Sequence, residues 1–442
     1  MNKTKAYKLS DFLSSIGANS AIHKRGEIFE NTVEFTKYAG ISWFRLGYES
    51  DIETKKLIEL HKKTGAMFSY GLASGGTDIP RLIKGAEDLA GAGALIALEG
   101  PNEPNNWSVK YNGGEGGRNL SWRIVAELQS DLYKTVKNNP KLKKYPVFHI
   151  GGESGAQTDN AGLQYLKISE NITDTIMPAG TIYADFANVH NYFCHPSLGG
   201  LIDNITWHAS DPVLETVPGN GGHFDNLYGN YGRMWGGGHF IGYSKEELIN
   251  LPRVTTETGV TIGAYNGAVT EDLHGKMIMC MYLSQFKNGY KYTALYILRD
   301  RVDEEGNQKF GLFTPENTPR KAAHYLHNLT AVLKSDKNIH EDINLINTNI
   351  INYGLHNLSE TVHDILLQKN KNEFYLILWD ERFTGGKDEI TIEFDVDKIP
   401  KIIDIYDTII GTEKIKSLKS PEKIKNINLT LTDYPVILNI KL

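Results

Sequence analysis

Residues 42–100 read SWFRLGYESDIETKKLIELHKKTGAMFSYGLASGGTDIPRLIKGAEDLAGAGALIALEG, and this stretch decides the fold. Three short runs, SWFRLGY (42–48), MFSYGL (67–72) and LIALEG (95–100), carry the aromatic and aliphatic residues of buried strands. Between them, IETKKLIELHKKTG (52–65) and IPRLIKGAEDLAGAG (79–93) space their apolar residues as amphipathic helices do. Buried strands separated by helices imply a parallel sheet.

The alternation extends in both directions. A first strand is expected near Ser15 to His23, and a long helix from about Ser121 to Lys137. Strands follow at YPVFHIG (145–151), FANVHNY (186–192), RVTTETG (253–259) and YTALYIL (292–298), with helices from about Glu271 to Asn288 and Pro319 to Leu333. Eight such strands suit a closed (β/α)8 TIM barrel. A doubly wound open sheet is the alternative, but its first turn shows no glycine fingerprint for phosphate.

After Lys334 the helical pattern fades. The runs at 372–380, 389–396, 401–408 and 434–442 read as strands of a small C-terminal β-sandwich. The expected domains are therefore a catalytic barrel over 1–335 and an accessory sandwich over 336–442. KSLKSPEKIKN (416–426) reads as a solvated connection.

Composition narrows the function. The 442 residues are 40% hydrophobic and 23% charged, enough to bury a sizeable core. With 47 basic residues against 53 acidic, the net charge of -6 argues against a nucleic-acid partner. Cys194 and Cys280 cannot build a disulfide framework or a four-thiolate zinc site; they could form one disulfide, but two buried free thiols are the favoured expectation. No apolar run approaches the ~18–20 residues that span a bilayer. MNKTKAYKLSDFL lacks the apolar core of a signal peptide, so the expectation is either an intracellular chain or one whose leader was removed. The glycines crowd into Gly113–Gly117, Gly151–Gly155 and the long 218–242 segment, which read as loops. At 25 residues, 218–242 is long enough to be a functional loop.

In a barrel of this kind, reactive side chains stand at the C-terminal ends of the strands. Those ends carry His23, Arg45, Glu99, Asn102, Glu103, Glu153, His190, Asn191, Tyr192, Glu257, Arg299 and Asp300. A lone glutamate is usually a solvated surface group. Glu103 in EGPNEPNN and Glu257 in VTTETG, however, end apolar strands expected to face each other across the mouth. Two such carboxylates are the minimum apparatus for cleaving a glycosidic bond: one protonates the leaving oxygen, the other attacks the anomeric carbon or activates water. Glu99 and Glu153 are weaker candidates, more plainly structural. Arg45 beside an ionised partner would lower that group's pKa and fix its rotamer.

These residues carry a resemblance. Asn102-Glu103-Pro104 after a fourth strand, with Glu257 ending a seventh, resembles the clan A retaining glycoside hydrolases. The barrel followed by a sandwich is similar in layout to glycoside hydrolase family 39. ALEGPNEPNN, ANVHNY, LYGNYGRMW and RVTTETG together resemble a group of bacterial glycosyl hydrolases, over roughly residues 10–335. The resemblance implies hydrolysis of β-linked oligo- or polysaccharides by double displacement, without a cofactor. Glu103 would be the acid/base and Glu257 the nucleophile. Asn102 would bond the sugar 2-hydroxyl, Arg45 would support the nucleophile, and His190 or Tyr192 would hold its oxygen. Many relatives end the eighth strand with a tryptophan under the sugar. Here Tyr296 takes that place, or a loop tryptophan does.

The aromatic supply suits a sugar, whose C–H faces pack on flat rings. Trp107 and Trp235 are the candidate subsite platforms; packing of their own loops is the plainer role. His208, His223 and His239 match no standard zinc spacing, and no metal is expected. A carbohydrate-binding barrel without activity would be expected to lack one of the two carboxylates. A metal-dependent hydrolase would need a third ligand beside His23 and His190.

Overall fold

The computed structural model describes residues 6–46, 52–104, 107–117, 120, 123–151, 183–193, 200–210, 252–303, 308–334, 351–394, 400–419 and 424–442. In chain order the first elements are β1 (Tyr7–Lys8), α1 (Leu9–Ser15), β2 (Ile16–Asn19), α2 (Phe29–Ala39), β3 (Trp43–Leu46), α3 (Thr54–Thr64), β4 (Met67–Leu72), α4 (Ile79–Gly91) and β5 (Leu95–Pro101). A small hairpin, β6 (Val109–Tyr111) and β7 (Gly114–Gly116), precedes α5 (Arg123–Asn138) and β8 (Val147–Phe148). Then come β9 (Ala187–His190), α6 (Ile205–Ser210), β10 (Arg253–Thr258), α7 (Glu271–Lys287), β11 (Tyr290–Leu295) and α8 (Lys321–Leu333).

Eight of these strands form one parallel sheet in the order β8-β5-β4-β3-β2-β11-β10-β9. A parallel bridge between Phe148 and Phe186 joins its two ends. The sheet is the expected (β/α)8 barrel. Among the described helices, the short α1 and α6 and the longer α2 escaped the sequence reading. α2 buries Phe29, Thr32, Phe35, Thr36 and Ala39, and its two buried threonines hide the apolar stripe. Their hydroxyls bond backbone carbonyls (Thr32 to Ile22 at 2.8 Å, Thr36 to Thr32 at 2.6 Å), which is how a polar side chain is tolerated there.

The barrel interior is layered by strand periodicity. Trp43, Ala97, Phe148, Phe186, Val254 and Ala294 make an apolar floor. Two residues further along the chain from five of these six stand Arg45, Glu99, Asn188, Thr256 and Tyr296, while Phe148 is followed by the apolar Ile150. The floor therefore carries a polar storey toward the C-terminal mouth. Trp43 needs the absence of a side chain opposite: a Cβ on Gly17 would fall 2.2 Å from its indole.

The C-terminal part holds β12 (Tyr353–His356), β13 (Val362–Asn370), β14 (Glu373–Asp380), β15 (Asp388–Phe394), β16 (Ile402–Asp407), β17 (Lys414–Lys419), β18 (Asn426–Leu431) and β19 (Val436–Lys441). β1-β13-β14-β19-β16-β17 form one sheet and β12-β15-β18 another. Two features depart from expectation. β17 lies partly within the segment read as a solvated connection; it is largely exposed, and pairing with β16 overrides its lysine-rich composition. β1, at the start of the stretch assigned to the barrel, pairs instead with β13.

The centre of the larger sheet, at β14, is buried on both faces. Phe374, Leu376 and Leu378 of β14 belong to the sandwich core, whereas Tyr375, Ile377 and Trp379 join the core shared with the barrel. That is why FYLILW is continuously apolar instead of alternating. Immediately after β14, the fully buried Glu381 clamps the two parts together. It accepts from the Thr206 and Trp207 amides at 3.0 Å, and from the hydroxyls of Thr206 at 2.5 Å and Ser284 at 2.7 Å. Glu381→Ala is expected to strand several donors and cost roughly 2–4 kcal/mol. Thermal unfolding should show a fall of several degrees, smaller for Glu381→Gln; an unchanged midpoint for the alanine variant would contradict the clamp.

Candidate active site

The polar storey of the barrel organises around Arg45. Its Nη2 donates to Glu99 Oε1 and to Asn102 Oδ1, both at 2.8 Å, and its Nε donates to Glu99 Oε2 at 3.2 Å. Its Nη1 reaches Glu257 Oε1 at 2.5 Å. All of these groups are buried. Burial alone would lower the Arg45 guanidinium, but Glu99 and Glu257 hold it above its ordinary value.

Glu257 lies near the end of β10 beside Thr256, and both side chains face the interior. A regular strand would send one of two neighbours outward. Here the register slips between Val254 and Glu257 against β9, and between Thr255 and Thr258 against β11. Such a bulge re-aims the side chain that follows it. Thr255 closes it locally, donating to the Glu257 carbonyl at 2.8 Å.

Glu103 sits two residues past β5, held by its amide on the Gly151 carbonyl at 3.0 Å. Its φ of 39° is in the left-handed region, a conformation costing about 1–2 kcal/mol for a residue with a Cβ. One Glu103 oxygen, one Glu257 oxygen and a ring nitrogen of His190 all lie within 4.8 Å of one another.

The two carboxylates differ in partners. Tyr192 donates its hydroxyl to Glu257 Oε2 at 2.8 Å. His190 Nδ1 lies 2.6 Å from Glu103 Oε1 and 3.8 Å from Glu257 Oε2. Of the two residues left open by the sequence as a holder of the Glu257 oxygen, Tyr192 makes that bond and His190 serves Glu103. Burial lifts the Glu257 carboxyl above its ordinary value; His190 pulls it down, Glu103 pushes it up, and Arg45 and Tyr192 pull it down again. Arg45 therefore acts in the expected direction but is outweighed by desolvation.

Asn102 is fully buried, its amide donating to Ser74 Oγ at 2.9 Å while its oxygen accepts from Arg45. Tyr296 follows β11 and packs edge-on against Tyr192, ring centroids 6.2 Å apart, and against Phe310 at 5.8 Å. Trp107 is 46% exposed and its amide donates to the Glu103 carbonyl at 2.8 Å, so it stands at the rim beside Glu103. Trp235, Glu153, His223, His239, Cys194 and the 218–242 segment lie outside the described residues; Cys280 is buried. Sequence reasoning took Glu99 as structural, and it is fully buried against Arg45; it did not single out Thr256 or Asn188. The alternation counted from the apolar floor was the signal that could have found them.

The Glu103, His190 and Glu257 atoms are spaced closely enough to raise the question of a metal. Each is already committed: Glu257 to a cation and a phenol, Glu103 and His190 to each other. The Arg45 charge directly behind Glu257 opposes a second cation, and we assign none. A surface cleft between α4 and α5, lined by Ile79, Ile83, Tyr111 and Lys134, lies on the barrel exterior and includes none of these residues.

Comparison with solved structures places the fold. A family 39 glycoside hydrolase from the gut symbiont Bacteroides cellulosilyticus WH2 superposes with a TM-score of 0.55 at 14% identity, over 99% of this chain and 83% of that one. This chain has the fold of the clan A glycoside hydrolases. A family 30 subfamily 8 xylanase from Clostridium acetobutylicum shares that clan A fold at a TM-score of 0.53 and 10% identity, covering 100% of this chain and 97% of the other. A family 30 endoxylanase from Clostridium papyrosolvens C71 gives 0.52 and 13%, covering 100% and 98%. No protein-family model and no curated protein sequence matches the chain. Among the described residues, no helix is long and apolar enough to cross a membrane.

Proposed function

We propose that the protein is a retaining glycoside hydrolase acting on β-linked oligo- or polysaccharides, with Glu257 as nucleophile and Glu103 as acid/base. One observation carries the reading: the two glutamates stand at the C-terminal mouth with oxygens within 4.8 Å. Retaining enzymes place their carboxyl groups about 5–5.5 Å apart and inverting ones about 6.5–9.5 Å, to admit a water; an approach of single oxygens within 4.8 Å supports the shorter spacing.

Glu257 attacks the anomeric carbon while Glu103 gives its proton to the departing oxygen. The leaving alcohol departs and a glycosyl ester of Glu257 remains. Glu103, now ionised, takes a proton from water, which attacks the same carbon and frees Glu257 with net retention. Arg45 and Tyr192 hold one oxygen each of Glu257, fixing its rotamer for attack. Asn102 keeps a second Nδ2 hydrogen for a sugar hydroxyl, Tyr296 offers a ring toward the sugar, and Trp107 offers a platform for the leaving-group side.

A panel of 2-fluoroglycosides with good leaving groups tests this. The expected result is a covalent adduct whose labelled peptide contains Glu257, and the sugar that reacts identifies the substrate. Labelling elsewhere, or none across pyranosides that the intact enzyme hydrolyses, would overturn the assignment.

A further inference from the structure

His190 has two ring nitrogens with different neighbours, and those neighbours leave little choice about its proton. Nε2 lies 3.0 Å from Thr256 Oγ1. That hydroxyl has a single hydrogen, and it stands 2.9 Å from Glu99 Oε1 and 3.1 Å from Asn188 Oδ1, neither of which can donate. Glu99 is clamped by the Arg45 guanidinium, so it faces Thr256 as a carboxylate, the stronger acceptor. Were Nε2 bare, Thr256 would have to turn its hydrogen to the ring, leaving two oxygens 2.9 Å apart with no proton between them. With the hydrogen given to Glu99, the Thr256 lone pairs accept from His190 Nε2 and from Asn188 Nδ2 at 2.9 Å. In the singly protonated ring Nδ1 is then the acceptor in the 2.6 Å contact with Glu103.

We propose that Glu99, acting through Thr256, is a positioning residue that fixes the His190 proton on Nε2 and so keeps the proton of the Glu103–His190 contact on Glu103. This rests on the acid/base reading of Glu103 and supplies what it lacks, a reason for Glu103 to hold its proton until the leaving oxygen arrives. The other charged groups facing the ring agree with it. Glu257 is 3.8 Å from Nδ1 and is already served by Arg45 and Tyr192. Gly151 leaves room for the ring: a Cβ there would fall 2.2 Å from Nε2.

The test is long-range proton–nitrogen NMR on the full chain labelled with 15N-histidine, near neutral pH, with His190→Gln to assign the signal. The expected result is a proton on Nε2 alone; a His190 protonated on Nδ1, with Nε2 either bare or also protonated, would overturn the relay. Thr256→Val, matched in shape, frees the ring to donate to an ionised Glu103. The alkaline limb of kcat/KM should then move to lower pH and kcat fall about tenfold, the scale of one lost hydrogen bond, while Thr256→Ser keeps the wild-type profile. A valine variant with both tautomer and pH profile unchanged would also refute the relay. Absence of any glycosidase activity would sink the acid/base reading and leave the tautomer result standing, so the two failures are distinguishable.

Discussion

Glu257→Ala is expected to lower kcat by on the order of 10⁴–10⁶-fold, the scale seen when a covalent nucleophile is removed. The barrel should still fold, because the loss opens only a small space at the mouth. Azide should restore part of the activity on an activated glycoside and give a product of inverted configuration, since a small anion can enter where the carboxylate stood. The pH profile belongs to the same prediction. Glu257 works only when ionised, and burial raises its pKa above the ordinary carboxylate value. Activity should therefore fall as pH drops through a midpoint above the usual glutamate range, and Arg45→Met should move that midpoint further up by removing a cation that favours the charged form. A near-native rate for Glu257→Ala would remove the nucleophile from the mechanism.

Glu103→Gln is expected to separate substrates by leaving group. For a sugar-linked alcohol, which needs a proton to depart, turnover should drop by about 10²–10⁴-fold. For a phenolate that leaves unaided, formation of the glycosyl-enzyme should be nearly unaffected. The second step should then become limiting, because glutamine cannot take the proton from water. The observable is a burst of released phenolate followed by slow turnover, with a lowered KM. Equal losses on both substrate types would indicate that Glu103 binds sugar and does not handle the proton.

Much of the arrangement was legible before any coordinates. Strand–helix alternation across 42–100 implied a parallel barrel, and a barrel places strand-end residues at one mouth. Glu103 and Glu257 could be paired on that ground alone, with Arg45 beside them. The rest was less readable for local reasons. Threonines inside the buried stripe of α2 obscured its period, and lysines along β17 masked a strand stabilised only by its neighbour.

The polypeptide order by itself determined which residues reach the mouth, because side-chain period and strand direction are local properties of the chain. It did not determine which polar group meets which. A register slip in β10 turns Thr256 and Glu257 to the same side, and a left-handed turn brings Glu103 onto His190. The assignment of Tyr192 to Glu257 and His190 to Glu103 was likewise settled in three dimensions. Hydrogen bonds reward separations of about 3 Å, and distances on that scale are set by packing among eight strands that no single segment encodes.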